Sequence, residues 1–394
     1  NATAIGTSAG ANQQGASAVA IGDEAGLTSQ GGDAVAIGTG AGLTTQGINA
    51  VAIGTRAGEI SQVQYAIAIG DYAGKSAQIG AAVAIGRNSG KVSQGNKAIA
   101  IGESSGGTNQ GSDGIAIGFN SAGFFQGQDA IALGRRAGIR RQGTKGIAIG
   151  YEAALGTTVN ATYVSGNVVD SSLVVNDVTG IEIGMRVSGQ GYVESIGVDF
   201  NVTSVDAGTN TVTLNTPATS QPSGTLTFSS GQGDQAVAIG DSAGKTTQGT
   251  SAIALGETAG GTGQGDFSVA IGSGAGNTSQ GTKAIAIGVT AALASQGENA
   301  IAIGALSGGF ANPQAANSII LNATGGAVEN TTADSFVVKP VRNATMTTIL
   351  GYDAGTGEVT HNAAIPGYIN IADLKVLAAA ASTYGLFQTA IANL

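Results

Sequence analysis

The sequence repeats itself every sixteen residues, and this period constrains the fold more than any other feature. Each copy ends in an Ile-Gly or Leu-Gly step, as in Ala-Val-Ala-Ile-Gly at 34–38. The step recurs from Gly6 to Gly150 and again from Gly240 to Gly304, giving fifteen copies without a slip inside either run. So strict a period is typical of folds in which each repeat stacks on its neighbours. We therefore predict an all-β parallel solenoid, or β-roll, of sixteen-residue coils.

The composition excludes several other classes of protein. The 394 residues include 67 Gly, 5 Pro and no Cys, and aromatic residues make up only 4%. Without Cys the chain can form no disulfide and no thiolate metal site. The net charge of −9 disfavours binding to nucleic acid. Because no apolar run approaches about eighteen residues, we predict no membrane insertion by helices.

Two columns of apolar residues precede the repeat Gly. The residue before it is Ile or Leu, and the residue three before it is Val or Ile in fourteen of the fifteen copies. Side chains two apart in a strand point the same way, so we predict that these two columns line the interior of each coil.

The residue between these two columns is Ala in every copy. So uniformly small a column suggests a strand packed on both faces, and we predict that a sister chain of a homotrimer supplies the second wall. A lone solenoid with a dry Ala face is the alternative. The predicted trimer contacts are Ala36, Ala52, Ala68, Ala84, Ala100, Ala116, Ala254 and Ala286.

A Gln column follows eight residues after the repeat Gly, usually with Gly behind it. Exposed Gln would not need to recur so regularly, whereas amides stacked one coil apart can hydrogen-bond to one another or to turn carbonyls. We predict a buried structural ladder of Gln30, Gln46, Gln62, Gln78, Gln94, Gln110, Gln126, Gln142, Gln248, Gln264, Gln280 and Gln296.

The period is interrupted once. Gly150 and Gly240 are 90 residues apart instead of 16, yet the pattern resumes in phase, so 74 extra residues enter as one long loop. We predict roll coils over 1–154 and 232–316 and a lateral domain over 155–231. Apolar runs between turn-rich stretches predict a small antiparallel β-sandwich or barrel of about five strands there, at 172–175, 180–187, 200–203, 211–214 and 224–228.

Two coils beside the insert carry large side chains where other coils have small polar ones. Phe124 and Phe125 occupy these positions in one coil, and Arg140 and Arg141 occupy them in the next. An Arg above an aromatic ring can gain about 0.5–2 kcal/mol. We predict that these four residues seat the base of the insert, with a ligand-binding patch as the alternative.

The sixteen-residue period becomes irregular beyond Gly304. The segment 317–365 predicts a closing strand followed by a β-hairpin. In 366–394, apolar residues at spacings of three and four predict a C-terminal helical segment that could bundle with its copies.

Apparent catalytic motifs fall on the repeat itself. Gly-x-Ser-x-Gly, a pattern of serine hydrolases, occurs at 6–10 and 240–244. Other coils place Glu24 or Arg56 where these carry Ser, and His361 is the only histidine. We expect no enzyme activity, no catalytic residue, no metal and no cofactor. A sugar site formed by Tyr163, Tyr192 and Asp199 of the insert is a further alternative.

The segments Asn-Ala-Val-Ala-Ile-Gly at 49–54 and Asn-Ala-Ile-Ala-Ile-Gly at 299–304 resemble the head repeats of trimeric autotransporter adhesins. Those heads form a left-handed parallel β-roll of three chains, commonly with shorter coils than the sixteen residues of this chain. The likeness covers about 1–150 and 232–310. Similar rolls occur in bacteriophage and algal-virus fibres, and the stretch 335–360 looks like a segment that follows them there.

This resemblance implies a homotrimeric tail fibre or capsid fibre at a virion surface or in an extracellular setting. It would attach to a host surface glycan or protein and would join other virion proteins at one end. A bacterial trimeric surface adhesin or filament subunit is the first alternative. A solenoid that binds ice through its Thr and Ser columns is the second.

Overall fold

The structure is a computed structural model that describes residues 1–166, 171–179, 181, 185–188, 200, 202–215, 223, 225–309, 311–341, 349–353 and 358–362. The chain divides into two compact units, Asn1–Pro340 and Val341–Leu394. The first unit contains both the roll and the insert. The predicted C-terminal helical segment at 366–394 lies outside the described residues.

The first part of the roll consists of short strands joined by tight turns. They are β1 (Thr3–Ile5), β2 (Asn12–Gln14), β3 (Val19–Ile21), β4 (Thr28–Gln30), β5 (Val35–Ile37), β6 (Thr44–Gln46), β7 (Val51–Ile53), β8 (Ile60–Gln62), β9 (Ile67–Ile69), β10 (Ser76–Gln78), β11 (Val83–Ile85), β12 (Val92–Gln94), β13 (Ile99–Ile101), β14 (Thr108–Gln110), β15 (Ile115–Ile117), β16 (Phe124–Gln126), β17 (Ile131–Leu133), β18 (Arg140–Gln142) and β19 (Ile147–Ile149).

The insert and the rest of the chain follow. The insert contains β20 (Thr158–Gly166), β21 (Ser172–Val175), β22 (Arg186–Ser188), β23 (Val202–Asp206), β24 (Thr211–Leu214) and β25 (Thr225–Ser229). The roll resumes with β26 (Val237–Ile239), β27 (Ile253–Leu255), β28 (Thr262–Gln264), β29 (Val269–Ile271), β30 (Thr278–Gln280), β31 (Ile285–Ile287), β32 (Ile301–Ile303), β33 (Ile319–Asn322) and β34 (Phe336–Lys339). In the second unit, β35 (Ile349–Asp353) and β36 (Glu358–Asn362) form an antiparallel hairpin.

Each coil contributes one strand to a seventeen-stranded parallel sheet, which we call sheet A. The strands that end in Gln form a second parallel sheet, sheet B, of nine strands before the insert. Neighbouring strands are one coil apart and in register, so that Ala36 pairs with Ala20 and Ala52. These findings confirm the all-β parallel solenoid with coils of about sixteen residues.

The insert leaves the stacking of the coils intact. Strand β19 pairs directly with β26, with Ala148 opposite Ala238. In sheet B, a parallel bridge joins Gln142 to Gln232. The coils on either side of the insert are therefore consecutive in space.

The Ala column faces the inside of the coil, and the Val and Ile columns beside it face outward. Ala36 is 0% exposed in a single chain, whereas Val35 and Ile37 are only partly buried. A β-carbon on Gly42, in the turn before β6, would lie 3.4 Å from the Ala36 Cβ and 2.8 Å from Gln46 Oε1, so the interior beside the Ala36 methyl group is already filled.

The predicted orientation of this strand is therefore wrong. The side chains predicted as trimer contacts are already covered by their own coil and cannot reach a sister chain. They are Ala36, Ala52, Ala68, Ala84, Ala100, Ala116, Ala254 and Ala286.

The repeat Gly is required by the close stacking of the coils. Gly38 has φ +124°, a conformation that L side chains rarely adopt. A β-carbon there would lie 2.7 Å from the carbonyl oxygen of Gly54 in the next coil. Any larger residue would separate the two coils.

The Gln side chains cross the narrow interior and form a ladder. Gln46 is 1% exposed, and its Nε2 donates to the carbonyl oxygen of Val35 in sheet A at 2.8 Å. The same Nε2 also donates to Oε1 of Gln62, one coil on, at 3.2 Å. Most of these amides thus link the two sheets of their own coil and join that coil to the next.

The roll extends further than the sequence pattern predicted. Gln296 donates to Gln314, and sheet A continues through β33 and β34 to Lys339. These last two strands fall in the segment 317–365, where a closing strand and a β-hairpin were predicted. Strand β33 agrees with the closing strand, whereas β34 is a further strand of the roll. A longer connection between coils hides them from a search for a sixteen-residue period.

The insert has an apolar core of its own. Its sheet has the order β22-β25-β20-β21-β24-β23, and the pairings within it are antiparallel. Phe200, Phe228, Leu226 and Met185 are almost fully buried in it. The predicted strands at 172–175 and 211–214 agree with β21 and β24, whereas the pattern missed β20.

Candidate functional site at the base of the insert

The two ends of the insert meet in a short ribbon, which we call the stem. The Ser230 amide donates to the Thr157 carbonyl at 2.9 Å, and the Thr157 amide donates to the Ser230 hydroxyl at 3.1 Å. Strands β20 and β25 then continue the ribbon as antiparallel partners. The insert is thus held by two paired strands instead of two loose linkers.

The stem rests on the backbone of Arg140 and Arg141. The Gln232 amide donates to the Arg141 carbonyl at 3.1 Å. A β-carbon on Gly231 would lie 2.2 Å from that same oxygen, so only Gly allows this approach. On the other side, the Gly156 amide donates to the Lys245 carbonyl at 2.8 Å, which joins the stem to the following coil.

The four predicted seat residues take different positions. The Arg141 guanidinium lies over the Phe125 ring, 5.2 Å from its centroid, and Phe124 pairs with Arg140 in sheet B. Phe124 remains 51% exposed and Phe125 39% exposed. The Arg pair therefore supports the stem with its backbone, while the Phe pair presents an apolar surface one coil away.

Phe125 and Arg141 also adopt an unusual backbone conformation. Their φ angles are +57° and +48°, which is uncommon for large side chains and is otherwise found in this column at small residues such as Ser29 and Ser93. Burial of the ring does not compensate for the strain, because Phe125 is exposed. The same φ recurs in this column in the other coils before the insert, so it belongs to the coil geometry.

A buried carboxylate joins the three coils around the insertion point, a feature that the sequence pattern did not reveal. Glu152 is 7% exposed, and its Oε2 lies 2.9 Å from Lys245 Nζ in the coil after the insert. Its Oε1 pairs with Arg136 in the coil before. The hydrogen bond from Lys245 is the main reason that the pKa of Glu152 lies below its usual value, although burial opposes the shift.

The Gln ladder is interrupted on both sides of the Phe and Arg coils. Gln126 Oε1 and Gln232 Oε1 have no hydrogen-bond partner among the described residues, whereas amides elsewhere in the stack accept from the coil before. At both places Gly114 or Gly146 replaces the Ala found in most coils, and the missing β-carbon would lie 2.9 Å or 2.7 Å from the unpaired oxygen. Each amide has therefore turned into the space that a methyl group fills elsewhere.

A third unpaired amide oxygen, on Gln30, has a different setting. It lies next to the first coil, where Gln14 is only partly buried and donates to the carbonyls of Thr3 and Ala18. Ala18 is present there, so a missing methyl is not the cause.

The described residues contain no group of three or more His, Cys, Asp or Glu side chains placed to hold a metal ion. Ser242, within the second hydrolase-like motif, donates to Asp241 at 2.8 Å on a turn of the roll. Of the sugar-site residues, Tyr163 packs against the insert core, while Tyr192 and Asp199 lie outside the described residues. No helix among the described residues is long and apolar enough to span a membrane.

The fold and this site define a parallel β-solenoid that carries a lateral β-domain on a paired stem. Comparison with protein-family models, with curated proteins and with solved structures found no match.

Proposed function

We propose that this chain is a structural fibre or adhesin protein, a homotrimeric rod that displays its inserted domain to a host surface. The observation that carries the proposal is the outward-facing apolar surface of sheet A. Ile69, Ile117, Ile239 and Ile303 are each between 36% and 39% exposed, and equivalent residues recur along the whole sheet. Monomeric soluble proteins rarely expose so long an apolar surface.

Copies of the same chain are the natural cover for this surface. The Val and Ile side chains recur at the strand spacing of about 4.8 Å, and another copy of sheet A has the same spacing. Identical surfaces assemble into closed rings, and the resemblance to trimeric heads favours three copies. The trimer is therefore proposed through the Val and Ile columns and not through the Ala column.

The position of the insert suits display. Its stem leaves beside the Arg140–Arg141 strand of sheet B, whereas the apolar columns lie on sheet A. With sheet A turned toward a threefold axis, the three inserts would project outward. Three weak contacts with a host glycan or protein would then reinforce one another by avidity.

The resemblance supports a virion fibre first and a bacterial surface adhesin second. The ice-binding alternative is weaker, because exposed Ile60, Val92 and Phe124 interrupt the Thr and Ser columns of sheet B. Thermal hysteresis in solution would nevertheless revive it.

The trimer is tested by measuring molar mass with light scattering after gel filtration. We expect three chains for the wild type and one chain for the double variant Ile69→Asp, Ile117→Asp. Thr108→Asp, on sheet B, is the matched control and should remain trimeric. A monomeric wild type would contradict the proposal.

Attachment is tested by comparing the wild type with a variant that lacks 158–231, both fluorescently labelled. The probes are a glycan array and a panel of bacterial and algal cells. We expect the wild type to bind at least one probe and the shortened variant to lose that binding. Equal binding by both proteins would show that the insert is not the part that attaches to the host surface.

A further inference from the structure

We infer that the copies of the rod contact one another side to side at the level of the Phe and Arg coils, with Asp129 of one copy paired with Arg135 of the next. This inference rests on the proposed trimer and adds its lateral interface and its register. Each coil has two opposite edges. The first edge is the turn after the repeat Gly, and the second edge is the turn after the Gln.

In a ring of parallel copies with sheet A toward the axis, the first edge of each copy adjoins the second edge of its neighbour. A closed ring relates the copies by pure rotation, with no shift along the axis. Each coil therefore faces the coil of the same number in the next copy. Residues at equal heights on opposite edges become neighbours, although they are far apart within one chain.

The second edge carries four exposed charges in successive coils. They are Lys97, Asp113, Asp129 and Lys145. Within the described part of the chain, none of them forms an ion pair. All four have φ between +56° and +58°, so the turn holds them at its tip.

The first edge of the same coils carries a complementary set. Glu103, Phe119, Arg135 and Tyr151 follow one another at the position just after the repeat Gly. The Arg135 guanidinium lies between two exposed rings, 5.9 Å from the Phe119 centroid and 5.6 Å from the Tyr151 centroid. The stack holds this cation in place at the surface without neutralising it.

With equal heights, opposite charges face each other at two of these four levels. Asp129 then faces Arg135, and Lys97 faces Glu103, which also pairs with Arg87 of its own chain. Asp113 and Lys145 face the rings of Phe119 and Tyr151.

Moving one copy by a coil so that Asp113 faces Glu103 would also bring Lys145 against Arg135 and Lys97 against Arg87, which places like charges together three times in these coils. The opposite shift would bring Asp113 against Arg135 and carries no such penalty. The charges thus disfavour one of the two shifts, and the closed ring itself requires the register without any shift.

Cross-linking tests this register, and the chain is suited to it because it has no Cys. One batch of protein carries Asp129→Cys and a second carries Arg135→Cys. The two are refolded together and treated with a short bismaleimide. Because each chain has a single thiol, any cross-linked dimer on a denaturing gel must join different copies.

We expect a strong dimer band from this mixture and little from either variant alone. The matched control mixes Asp129→Cys with Glu103→Cys, whose partner thiol lies two coils, or about 10 Å, further along the edge. This control should give several-fold less dimer. An equal or stronger band in the control would overturn the register.

A charge exchange gives a second, independent readout. Asp129→Lys should raise the trimer dissociation constant several-fold in low salt, and adding Arg135→Asp to the same chain should reverse much of that loss. A trimer that is indifferent to both changes and gives no 129–135 cross-link would overturn the inference while leaving the proposed function intact. A monomeric wild type would overturn both.

Discussion

A single methyl group decides whether two Gln amides meet inside this protein. Four residues before the repeat Gly, one coil has Ala98, and there Gln94 donates to Gln110 at 3.2 Å. Where Gly114 stands one coil on, Gln126 Oε1 is left unpaired. The ladder is therefore maintained by packing as well as by hydrogen bonding.

Gly114→Ala should close this gap and stabilise the protein. Gly114 is not among the positive-φ residues, and Gly→Ala at a compatible site contributes about 0.4–1 kcal/mol. The new β-carbon would lie 2.9 Å from the Gly111 carbonyl oxygen, so the turn must open slightly; the same turn one coil earlier already holds Ala98. Restoring a buried hydrogen bond adds about 0.5–1.5 kcal/mol. We expect a higher Tm by calorimetry, and a lower one for the reverse change, Ala98→Gly. A lower Tm for Gly114→Ala would show that the methyl does not fit.

The residue pattern predicted which side chains share a face but not which face is inside. Val35 and Ile37 do point the same way, and Ala36 points the other way, as period two requires. The choice of side depends on the distance between the sheets, which the period does not give. The invariance of Ala was the signal, because a gap too narrow for Ile is the simplest reason to keep a methyl.

At the scale of elements, each coil is joined to its neighbours by a backbone ladder, a Gln amide and, at a few places, a charge cluster. The Glu152 cluster is distinctive because it connects Arg136 to Lys245 across the point where the insert leaves. The sequence could not reveal it, since Glu152 and Lys245 are separated by the whole insert. The stem contacts of Thr157 and Ser230 escaped prediction for the same reason.

Glu152→Gln should remove part of the acid sensitivity of the roll. A carboxyl whose pKa is lowered on folding contributes stability above its unfolded pKa, and the contribution fades as the pH falls toward the folded pKa. We expect the variant to be less stable at neutral pH by about 1 kcal/mol and its difference from wild type to shrink in acid. Thermal melts at several pH values measure this. A constant difference at every pH would contradict it.

Prediction of the insert succeeded for strands with a plain apolar alternation and failed for β20. Its residues, from Thr158 to Gly166, include three Thr or Ser and one Asn and show little contrast between faces. Pairing with β25 and β21 makes it a strand. Such a strand is specified by its neighbours and not by its own sequence.

At the scale of the molecule, two unlike cores are joined by one stem. The roll is filled by Ala and Gln, and the insert by large apolar side chains such as Phe200 and Phe228. Between them, the Thr157 and Ser230 backbones already meet. The roll therefore does not depend on the insert for its own continuity.

Deleting 158–231 should leave a stable roll. The deletion joins Thr157 to Gln232 and restores the sixteen-residue interval between repeat glycines. We expect the far-UV circular dichroism of a β-protein, an oligomeric state equal to that of the wild type, and a Tm within a few degrees of it. Collapse of the roll would show that the insert has a structural role.

The uniform stacking of glycine on glycine has a consequence for how such a chain can change. Every coil offers its neighbours the same top and the same bottom, so removal or duplication of one whole coil leaves all other junctions unaltered. Near-identical gene segments recombine readily, and each recombination would lengthen or shorten the roll by one coil. The length of roll on either side of the insert could thus change over generations without any change in the insert or in its stem.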